Sequence, residues 1–469
     1  MYTNTHITDA SRAVLAPGTR VFFCGIGGAG MNPLAHVLAR RGLRVSGADA
    51  TEQKSLDVLR AAGIPCAVGH DASLVDDADV FVYSTAIAPD NPQWLRAQAR
   101  GIPCLRRGQL LALLVNRMRD VTVAATHGKT TTAALTAVLF EAAGLDPLAL
   151  IGGDVPAFGG YFRDGHSEWA VVETDESDGS FELLDSQIAL VLNIDADHMD
   201  FYPSVDTISA AFARYLARVR PDGALIYNAG DARVAALARD ARHIATRISC
   251  ALDAPADVTA HDIVLEPWSS SFTVSLPCES VRVTLGMPGR HNISNALHAI
   301  AAARYAGAEL EVIQRACAAF HGVRRRMERL GTYRGALVID DYAHHPREIA
   351  ATVAAVRQLG RPLIVVFQPH RYTRTAALLD EFVTVLAPLE RVIITEVFSA
   401  SEPPGPVTGA TLFEAVKRVV PAAQFAPTLD AILPALAHMT EPNDVILFLG
   451  AGSISGAAHA LVASQEHAA

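Results

Sequence analysis

The stretch VAATHGKTTT, residues 123–132, decides how the rest of the chain is interpreted. An apolar, β-branched entry leads into Gly128-Lys129-Thr130, and an Ala- and Leu-rich run follows at residues 133–143. Strand, small-residue turn, Lys-Thr and helix is the order of a phosphate-binding loop. In such a loop, backbone N–H groups hold the phosphates, the lysine reaches the terminal ones, and a hydroxyl binds Mg²⁺. The stretch therefore predicts a nucleoside triphosphate site.

The loop departs from the strict pattern G-x-x-x-x-G-K-[ST], because Val123 stands where the first glycine is expected. A helix start capped by threonines, without any nucleotide, is the alternative interpretation. The strand-like run before Gly128 and the helix-like run after Thr131 favour the phosphate loop, since the pattern needs this context. We expect Lys129 to contact the terminal phosphates and Thr130 to bind Mg²⁺, with Gly128 beside them.

Length and composition narrow the class of protein. At 469 residues the chain is too long for a single core, and about 150 residues per domain predicts about three domains. The net charge of −10, without a long Lys/Arg run, argues against nucleic-acid binding. The six cysteines form no C-x-x-C pair and predict core residues in a reducing compartment. Without a signal-peptide core or an apolar run of about 18 residues, we expect a cytoplasmic protein with no membrane span.

A second glycine-rich motif, GIGGAG at residues 25–30, follows an apolar strand-like run at 21–24. It precedes a helix predicted over 32–40, and Asp49 follows about twenty positions on, as in the fingerprint of a diphosphate held on a helix N-terminus. Alone it favours NAD, and a tight turn without ligand is the other alternative. The candidate binding residues of this region, which include polar residues at strand ends, are Gly27, Gly28, Ala29, Gly30, Asp49, His70, Ser84 and Thr85.

Two apolar runs after the phosphate loop each end in a polar cluster, the first at Glu173 and the second near His198. Carboxylates and an imidazole at the carboxyl ends of parallel strands suit a Mg²⁺–triphosphate site. Solvated strand ends are the alternative, which we favour for Asp178 and Asp195 but not for Glu173 and His198. Residues 224–290 alternate less regularly and predict a few antiparallel strands.

Strands alternate with helices again in the last third of the chain, and polar residues gather where the strands end. The predicted strands are residues 336–339, 362–367, 392–395 and 445–449. The whole chain is therefore expected to be a three-domain α/β protein with a Rossmann-like N-terminal domain, a central phosphate-loop domain and a C-terminal Rossmann-like domain. We place these domains at residues 1–106, 107–322 and 323–469.

Eight motifs together resemble those of the Mur ligases of peptidoglycan synthesis, in the order of that family and over almost the whole chain. They are GIGGAGM (25–31), THGKTTT (126–132), ETDESDGSF (173–181), NIDADHMDFY (193–202), GRHNISNA (289–296), RRRMERLG (324–331), DDYAHHP (340–346) and FQPHRYTR (367–374). The resemblance implies an ATP-dependent ligase that phosphorylates a carboxylate. An amine then attacks the acyl phosphate, which gives an amide, ADP and phosphate.

The resemblance also implies roles around ATP and metal. Lys129 would bridge the β- and γ-phosphates, Thr130 would hold Mg²⁺ with Glu173, and His198 would bind a second metal. Thr131 of the phosphate loop would also contact ATP. The residues implied to contact ATP from other parts of the chain are His291, Asn292, Arg326 and Asp341. Lys129, His198 and Arg326 are the expected catalytic residues.

The substrates implied by the resemblance are UDP-N-acetylmuramate and L-alanine. The glycines at 27–30 would hold the UDP diphosphate and not NAD, so the N-terminal domain would bind the UDP-sugar. His370, Arg371 and Arg374 would position L-alanine, and His344 lies in the same C-terminal region. An arginine fork is well suited to a small carboxylate.

Three alternatives remain open. A muropeptide-recycling ligase of the same family joins a whole tripeptide to the same sugar nucleotide, but its first loop usually lacks the Gly-Ile-Gly-Gly form seen here. An NAD-dependent oxidoreductase built on residues 21–49 leaves Lys129 unexplained. A non-catalytic nucleotide-sensing protein disagrees with the presence of Lys129, Glu173, His198 and Arg326.

Overall fold

The structure, a computed structural model, describes residues 15–84, 86–197, 201–400 and 402–466. Two predicted site residues, Thr85 and His198, lie outside these ranges. Within them the chain forms three β-sheets with intervening helices, which confirms the predicted α/β class. By its contacts the chain divides into two compact units. The first holds residues up to 194, 206–258 and 297–313, and the second holds 195–205, 259–296 and the chain from 314 on. The domain boundaries at 106 and 322 stay predictions.

The first sheet is all-parallel and lies in the first unit. Its strands are β1 (Arg20–Cys24), β2 (Arg44–Asp49), β3 (Cys66–Val68), β4 (Val80–Tyr83) and β5 (Cys104–Arg106). Their order is β3-β2-β1-β4-β5, so the strand order reverses between β1 and β4. Open α/β sheets bind ligands beside the carboxyl ends of the strands at such a switch point. The GIGGAG loop directly follows β1 and therefore lies at this position.

The second sheet also lies mainly in the first unit. Its strands there are β6 (Arg119–Ala124), β7 (Leu148–Val155), β8 (Gly160–Arg163), β9 (Trp169–Glu173), β10 (Ile188–Val191), β11 (Ala224–Asn228) and β12 (Thr246–Ala251). The order is β12-β11-β10-β6-β9-β7-β8. The strand that enters the phosphate loop, β6, pairs in parallel with β9 on one side and β10 on the other.

The region predicted to hold antiparallel strands, residues 224–290, is only partly antiparallel. Its first two strands, β11 and β12, continue the parallel sheet beside β10. The following strands are β13 (Val258–Leu265), β14 (Ser270–Leu276) and β15 (Glu279–Leu285). They pair antiparallel as predicted, and β13 carries the chain into the second unit.

The third sheet lies in the second unit. Its strands are β16 (Glu328–Tyr333), β17 (Ala336–Asp341), β18 (Leu363–Phe367), β19 (Arg391–Thr395), β20 (Gln424–Ala426) and β21 (Val445–Leu449). The order is β16-β17-β21-β18-β19-β20, and β16 runs antiparallel to β17. The four strands predicted from the sequence are all present, whereas β16 and β20 were not predicted. Because β17, β21 and β18 are parallel neighbours, the polar segments that follow them leave the same edge.

Helices alternate with the strands along the described chain. They are α1 (Asn32–Arg40), α2 (Lys54–Ala61), α3 (Pro92–Ala99), α4 (Arg107–Val115), α5 (Lys129–Ala142), α6 (Val205–Leu216), α7 (Ala232–Asp240), α8 (Arg290–Tyr305), α9 (Leu310–Ala319), α10 (Pro346–Arg357), α11 (Tyr372–Ala377), α12 (Leu379–Leu386), α13 (Gly409–Lys417), α14 (Ile432–Met439) and α15 (Ile454–Glu466). Helix α1 has the predicted bounds. Among the described helices, none is both long and apolar enough to cross a bilayer.

One hydrophobic core joins the two sheets of the first unit. Val21 and Val82 from the first sheet, Leu148 and Val172 from the second sheet, and Leu110 from α4 all belong to it. Burial of these side chains is the main stabilising contribution available to the unit. Helix α4 lies between the sheets and is therefore fixed on two sides.

The six cysteines are free thiols, as predicted, but they are not all core residues. Cys24, Cys250 and Cys317 are buried, whereas Cys278 is exposed. Cys278 ends the two-residue connection between β14 and β15, and a tight hairpin leaves its side chains in solvent. The expectation that every cysteine packs in the core was therefore wrong for this residue.

A buried carboxyl near the start of β6 carries an unusual proton affinity. Burial raises the pKa of Asp120 to about 7, against the lowering effects of the Gln187 N–H bond at 3.0 Å and of nearby Arg220. The Asp185 carboxylate adds a smaller raising effect. A raised folded-state pKa means that the native protein holds a proton that the unfolded chain has already released.

We expect this proton to stabilise the protein fully below about pH 4 and the stabilisation to disappear as pH rises to about 7. Relative to Asp120→Asn, the wild type should lose on the order of 2 kcal/mol of unfolding free energy between pH 5 and pH 8. Urea unfolding of both proteins at the two pH values measures the difference. An equal pH dependence in the two proteins would contradict the assignment.

Candidate active site

The phosphate loop connects β6 to α5, and the helix begins at Lys129, four residues before the predicted start at 133. Its N-cap, Gly128, has a φ of 85°, a left-handed conformation that favours glycine. The first N–H groups of a helix have no intrahelical partners, and they lie at the positive end of the helix dipole. The loop therefore has the geometry of an anion site.

Lys129 lies within this loop and is nearly buried, with 16% of its side chain exposed. Its Nζ donates to Glu176 Oε1 at 2.6 Å and to the carbonyl oxygens of Ala125 at 2.5 Å and Thr126 at 3.1 Å. Burial lowers the pKa of Lys129, but Glu176 and neighbouring carboxylates outweigh it, so the pKa is raised. The side chain is therefore an ammonium ion. Sequence reasoning missed Glu176, although it belongs to the polar cluster after β9.

Thr130 and Glu173 are brought together as predicted. Thr130 Oγ1 donates to Glu173 Oε1 at 2.9 Å, and the Gly152 N–H donates to Glu173 Oε2 at 2.6 Å. A Cβ at Gly152 would lie 2.6 Å from that same oxygen, so only glycine lets the carboxylate sit there. A hydroxyl and a carboxylate next to a phosphate loop are the hard oxygen donors that Mg²⁺ prefers. These residues fit a Mg²⁺–triphosphate.

Asn193 follows β10, the strand that pairs with β6 on the side opposite β9, and it fixes the conformation of the phosphate loop. The His127 N–H donates to Asn193 Oδ1 at 2.8 Å, and Asn193 Nδ2 donates to the His127 carbonyl at 2.9 Å. The Thr126 N–H also donates to the Asn193 carbonyl at 3.2 Å. Sequence reasoning gave Asn193 no role. The signal available was its position at the start of the polar cluster that follows β10.

The GIGGAG loop contacts Asp49, one of the predicted first-domain residues. The Gly27 N–H donates to Asp49 Oδ2 at 2.9 Å, so Asp49 holds the loop backbone. The loop fits tightly, because a Cβ at Gly27 would lie 2.2 Å from Gln53 Nε2. In the described part of the chain, the N–H groups of Ala29 and Gly30 have no hydrogen-bond acceptor. Such groups are available to an anion.

The other two described candidates of this domain lie near the end of β1. His70 Nδ1 is 4.0 Å from Cys24 Sγ and 3.4 Å from Gln93 Oε1. Ser84 Oγ is 3.8 Å from the place that a Cβ of Gly25 would occupy. Both side chains therefore lie beside the switch point of the first sheet, where the strand-end argument placed them.

In the second unit, Arg326 lies between two residues in the left-handed region. Arg325 has a φ of 59° and Met327 a φ of 53°, and such non-glycine residues are strained. The Met327 N–H donates to Asp341 Oδ2 at 2.8 Å, which fixes the segment to the end of β17. The Arg326 guanidinium lies over the Tyr342 ring, 4.9 Å from its centroid. The structure thus brings Arg326 and Asp341 close together.

His291 and Asn292 stand in the first turn of α8. Asn292 Nδ2 donates to the Pro288 carbonyl at 2.8 Å, and Asn292 Oδ1 accepts from Asn295 Nδ2 at 3.4 Å. Burial, assisted by the Arg326 charge, lowers the pKa of His291 to about 4. The ring is therefore neutral near pH 7 and is suited to contact with an uncharged base. Asn295 was not predicted.

The loop after β18 brings His370 and Arg374 together with His344. Arg374 Nη1 donates to His370 Nδ1 at 3.2 Å, and the His344 and His370 ring centroids are 5.5 Å apart. Arg374 Nη2 donates to Asp197 Oδ1 at 2.7 Å, and only 8% of either side chain is exposed. Burial lowers the pKa of His344 to about 4 and that of His370 to about 3.

Arg371 precedes α11 and has a φ of 69°, which is strained for a side chain of this size. Its Nη1 is 3.9 Å from Glu402 Oε1. The two arginines of the predicted fork therefore each have a carboxylate beside them. Neither Asp197 nor Glu402 was predicted, because both are distant from this loop in sequence.

Family models match most of the chain in three consecutive segments. The Mur ligase family catalytic domain matches residues 20–119, the Mur ligase middle domain 123–303, and the Mur ligase glutamate ligase domain 325–452. A UDP-N-acetylmuramate–L-alanine ligase of Nitratidesulfovibrio vulgaris is 40% identical over 450 residues, which are 95% of this chain and 98% of that protein. One from Acidithiobacillus ferrooxidans is 42% identical over 448 residues, 94% of this chain and 96% of that protein.

A solved structure shows the same similarity in three dimensions. The UDP-N-acetylmuramate-alanine ligase of Thermotoga maritima superimposes with a TM-score of 0.82 at 25% sequence identity. The match covers 96% of this chain and 100% of that one. Fold and sequence therefore agree over nearly the full length.

The position of Glu173 can be tested through its glycine neighbour. We expect Gly152→Ala to push the Glu173 carboxylate away from Thr130, because the new Cβ would lie 2.6 Å from Oε2. The affinity for Mg²⁺–ADP should fall about tenfold, as for the loss of one charge-assisted contact. Isothermal titration with and without Mg²⁺ measures it.

Gly160→Ala is the matched control, since a Cβ at Gly160 on the adjacent strand would have no neighbour within 4 Å. Both variants should unfold at about the same temperature, because the group displaced in Gly152→Ala is the end of a flexible side chain. Wild-type affinity for Mg²⁺–ADP in Gly152→Ala would show that the observed position of Glu173 is not needed for metal binding.

Proposed function

The chain belongs to the Mur ligase family, and we propose on this basis that it is an ATP-dependent ligase joining L-alanine to the carboxylate of UDP-N-acetylmuramate. Relatives named UDP-N-acetylmuramate–L-alanine ligase are 40% and 42% identical over nearly the whole length of both chains. They do not favour a tripeptide-adding ligase or an NAD-dependent oxidoreductase. The reaction belongs to the synthesis of peptidoglycan precursors.

The observation that best supports this function is the phosphate loop with the buried ammonium group of Lys129. Lys129 is fixed at the N-terminus of α5, where a terminal phosphate would meet both its charge and the helix N–H groups. Such contacts favour the transition state, because charge develops on the phosphoryl oxygens during transfer. ATP supplies the phosphoryl group that activates the carboxylate toward the amine.

Thr130 and Glu173 would hold Mg²⁺ through their oxygen atoms. A second metal ligand, His198, is proposed only from the resemblance, since it lies outside the described residues. His291 and Asn292 would contact the adenine, and a neutral imidazole suits that role. Arg326 and Asp341 would also contact the ATP.

The UDP diphosphate would bind on the residues 27–30, beside His70 and Ser84. L-alanine would bind near His370, Arg371 and Arg374, with its carboxylate facing the guanidinium groups. His344, held neutral by burial, would add no charge to this site. We place the reaction in the cytoplasm, where ATP is available and free cysteines persist.

Phosphate release from ATP tests the function directly. With UDP-N-acetylmuramate present, we expect release to need L-alanine, and neither a tripeptide nor NAD to replace it. Release that depends on the tripeptide and not on L-alanine would favour the recycling ligase. No release with any amine would contradict the proposed reaction.

Lys129→Ala should lower the rate of release by about 10²–10³, because one preorganised donor to the transferring phosphoryl group is lost. It should also lower stability, since Glu176 is 2% exposed and would lose its ammonium partner. The double variant Lys129→Ala/Glu176→Gln separates these effects, and we expect it to regain stability but not activity. Recovery of wild-type turnover in the double variant would remove Lys129 from catalysis.

The amino-acid site is tested by Arg371→Ala and Arg374→Ala. Each should raise the KM for L-alanine about tenfold or more, because a charge-assisted bond to a carboxylate contributes about 1.5–3 kcal/mol. The KM values for ATP and for the UDP-sugar should change much less. Steady-state kinetics with each substrate varied in turn measures the three values.

Arg361→Ala is the control for these variants, because Arg361 precedes β18 and bonds the Asn443 and Asp444 carbonyls at the opposite end of the strand. Its KM for L-alanine should equal the wild-type value. An unchanged KM for L-alanine in both Arg371→Ala and Arg374→Ala would remove this loop from the substrate site, while the ligase function would stand.

A further inference from the structure

Arg107 is the first residue of α4, the helix between the two sheets, and its side chain extends to the GIGGAG loop. A Cβ on Gly30 would lie 2.8 Å from Arg107 Cδ and 3.1 Å from Nη1. The side chain is 18% exposed, and its Nη2 donates to Asp175 Oδ2 at 2.8 Å. The guanidinium thus lies against the last glycine of the loop, where a larger residue would displace it.

The backbone around Arg107 is fixed, so the guanidinium is held in place before any ligand binds. A Cβ on Gly108 would lie 2.3 Å from Ser180 Cβ, which brings the start of α4 against the loop after β9. The Arg106 N–H donates to Gln109 Oε1 at 2.9 Å and caps the helix. Asp178 Oδ2 lies 3.7 Å from Nη2 and adds a second carboxylate.

The charges near the loop show why a cation is needed there. The Gly27 N–H already bonds the Asp49 carboxylate, so the loop itself holds an anion. A diphosphate would meet the N–H groups of Ala29 and Gly30, which have no acceptor among the described residues. Like charges at short range repel, and the guanidinium, although Nη2 is paired with Asp175, leaves Nη1 beside Gly30 as a charged donor that reduces that repulsion. Arginine also matches phosphate oxygens with two parallel donors.

We propose that Arg107 is a substrate-positioning residue that binds the diphosphate of the UDP-sugar together with the Ala29 and Gly30 N–H groups. The proposal rests on the proposed function, since it concerns the site of the sugar nucleotide. Asp175 and Asp178 orient the guanidinium toward the loop. Because Asp175 follows Glu173 by two residues, the same arginine links the diphosphate site to the segment that carries the Mg²⁺ ligand.

The test compares UDP and uridine binding to the full chain, wild type against Arg107→Ala, by isothermal titration. The Kd for UDP should rise about 10- to 100-fold, as expected for loss of a charge-assisted contact to phosphate. The Kd for uridine should stay unchanged, because uridine has no phosphate. Arg107→Lys should recover part of the affinity for UDP, since it keeps the charge but not the paired donors.

Arg163→Ala is the matched control. Arg163 is 20% exposed and pairs with Glu141 at 2.8 Å and Asp146 at 2.6 Å, so its removal breaks similar ion pairs away from the loop. It should bind UDP as the wild type does, and both alanine variants should unfold at similar temperatures. Equal affinity for UDP in Arg107→Ala and wild type would overturn the role of Arg107. Failure of the wild type to bind UDP would instead overturn the proposed sugar-nucleotide site.

Discussion

The candidate site of the first unit is arranged around a buried ammonium ion at the start of α5. A cation removed from water destabilises a fold unless a carboxylate and further acceptors compensate it. Glu176 and two loop carbonyls do so for Lys129. The compensation requires β9 to lie directly beside β6, since Glu176 follows β9. The same pairing delivers Glu173 to Thr130, so one strand neighbour supplies both the partner of the cation and the candidate metal ligand.

The loops that carry the candidate residues of the second unit are strained. Arg325, Met327 and Arg371 have left-handed backbones that glycine would adopt more easily. Such residues persist where surrounding bonds determine the conformation, and they concentrate at functional sites. The bond from the Met327 N–H to Asp341 and the bond from the Arg371 N–H to the Phe398 carbonyl, at 2.8 Å each, are of this kind. These bonds keep the strained segments, and the arginines they carry, in defined positions.

Burial sets the charge of the second unit's candidate site. His291, His344 and His370 all have lowered pKa values because they are shielded from water, so near pH 7 they are neutral. Among the described candidate residues of this unit, the positive charge then comes from the arginines, and Arg374 is balanced by Asp197. Neutral imidazoles can accept or donate hydrogen bonds beside a guanidinium without adding repulsion.

The sequence by itself determined most of the individual strands and helices, the two glycine-rich loops and the family. The signals for these features come from residues that are close together in the chain. The sequence placed α1 with correct bounds but began α5 too late, since β-branched threonines have a low helix propensity, which the surrounding structure overrides here. Only the tertiary structure showed Glu176, Asn193 and Arg107, whose partners lie 47, 66 and 68 residues away. Local patterns predict which charges occur at strand ends. Which of them meet depends on the strand order, and that follows from long-range packing.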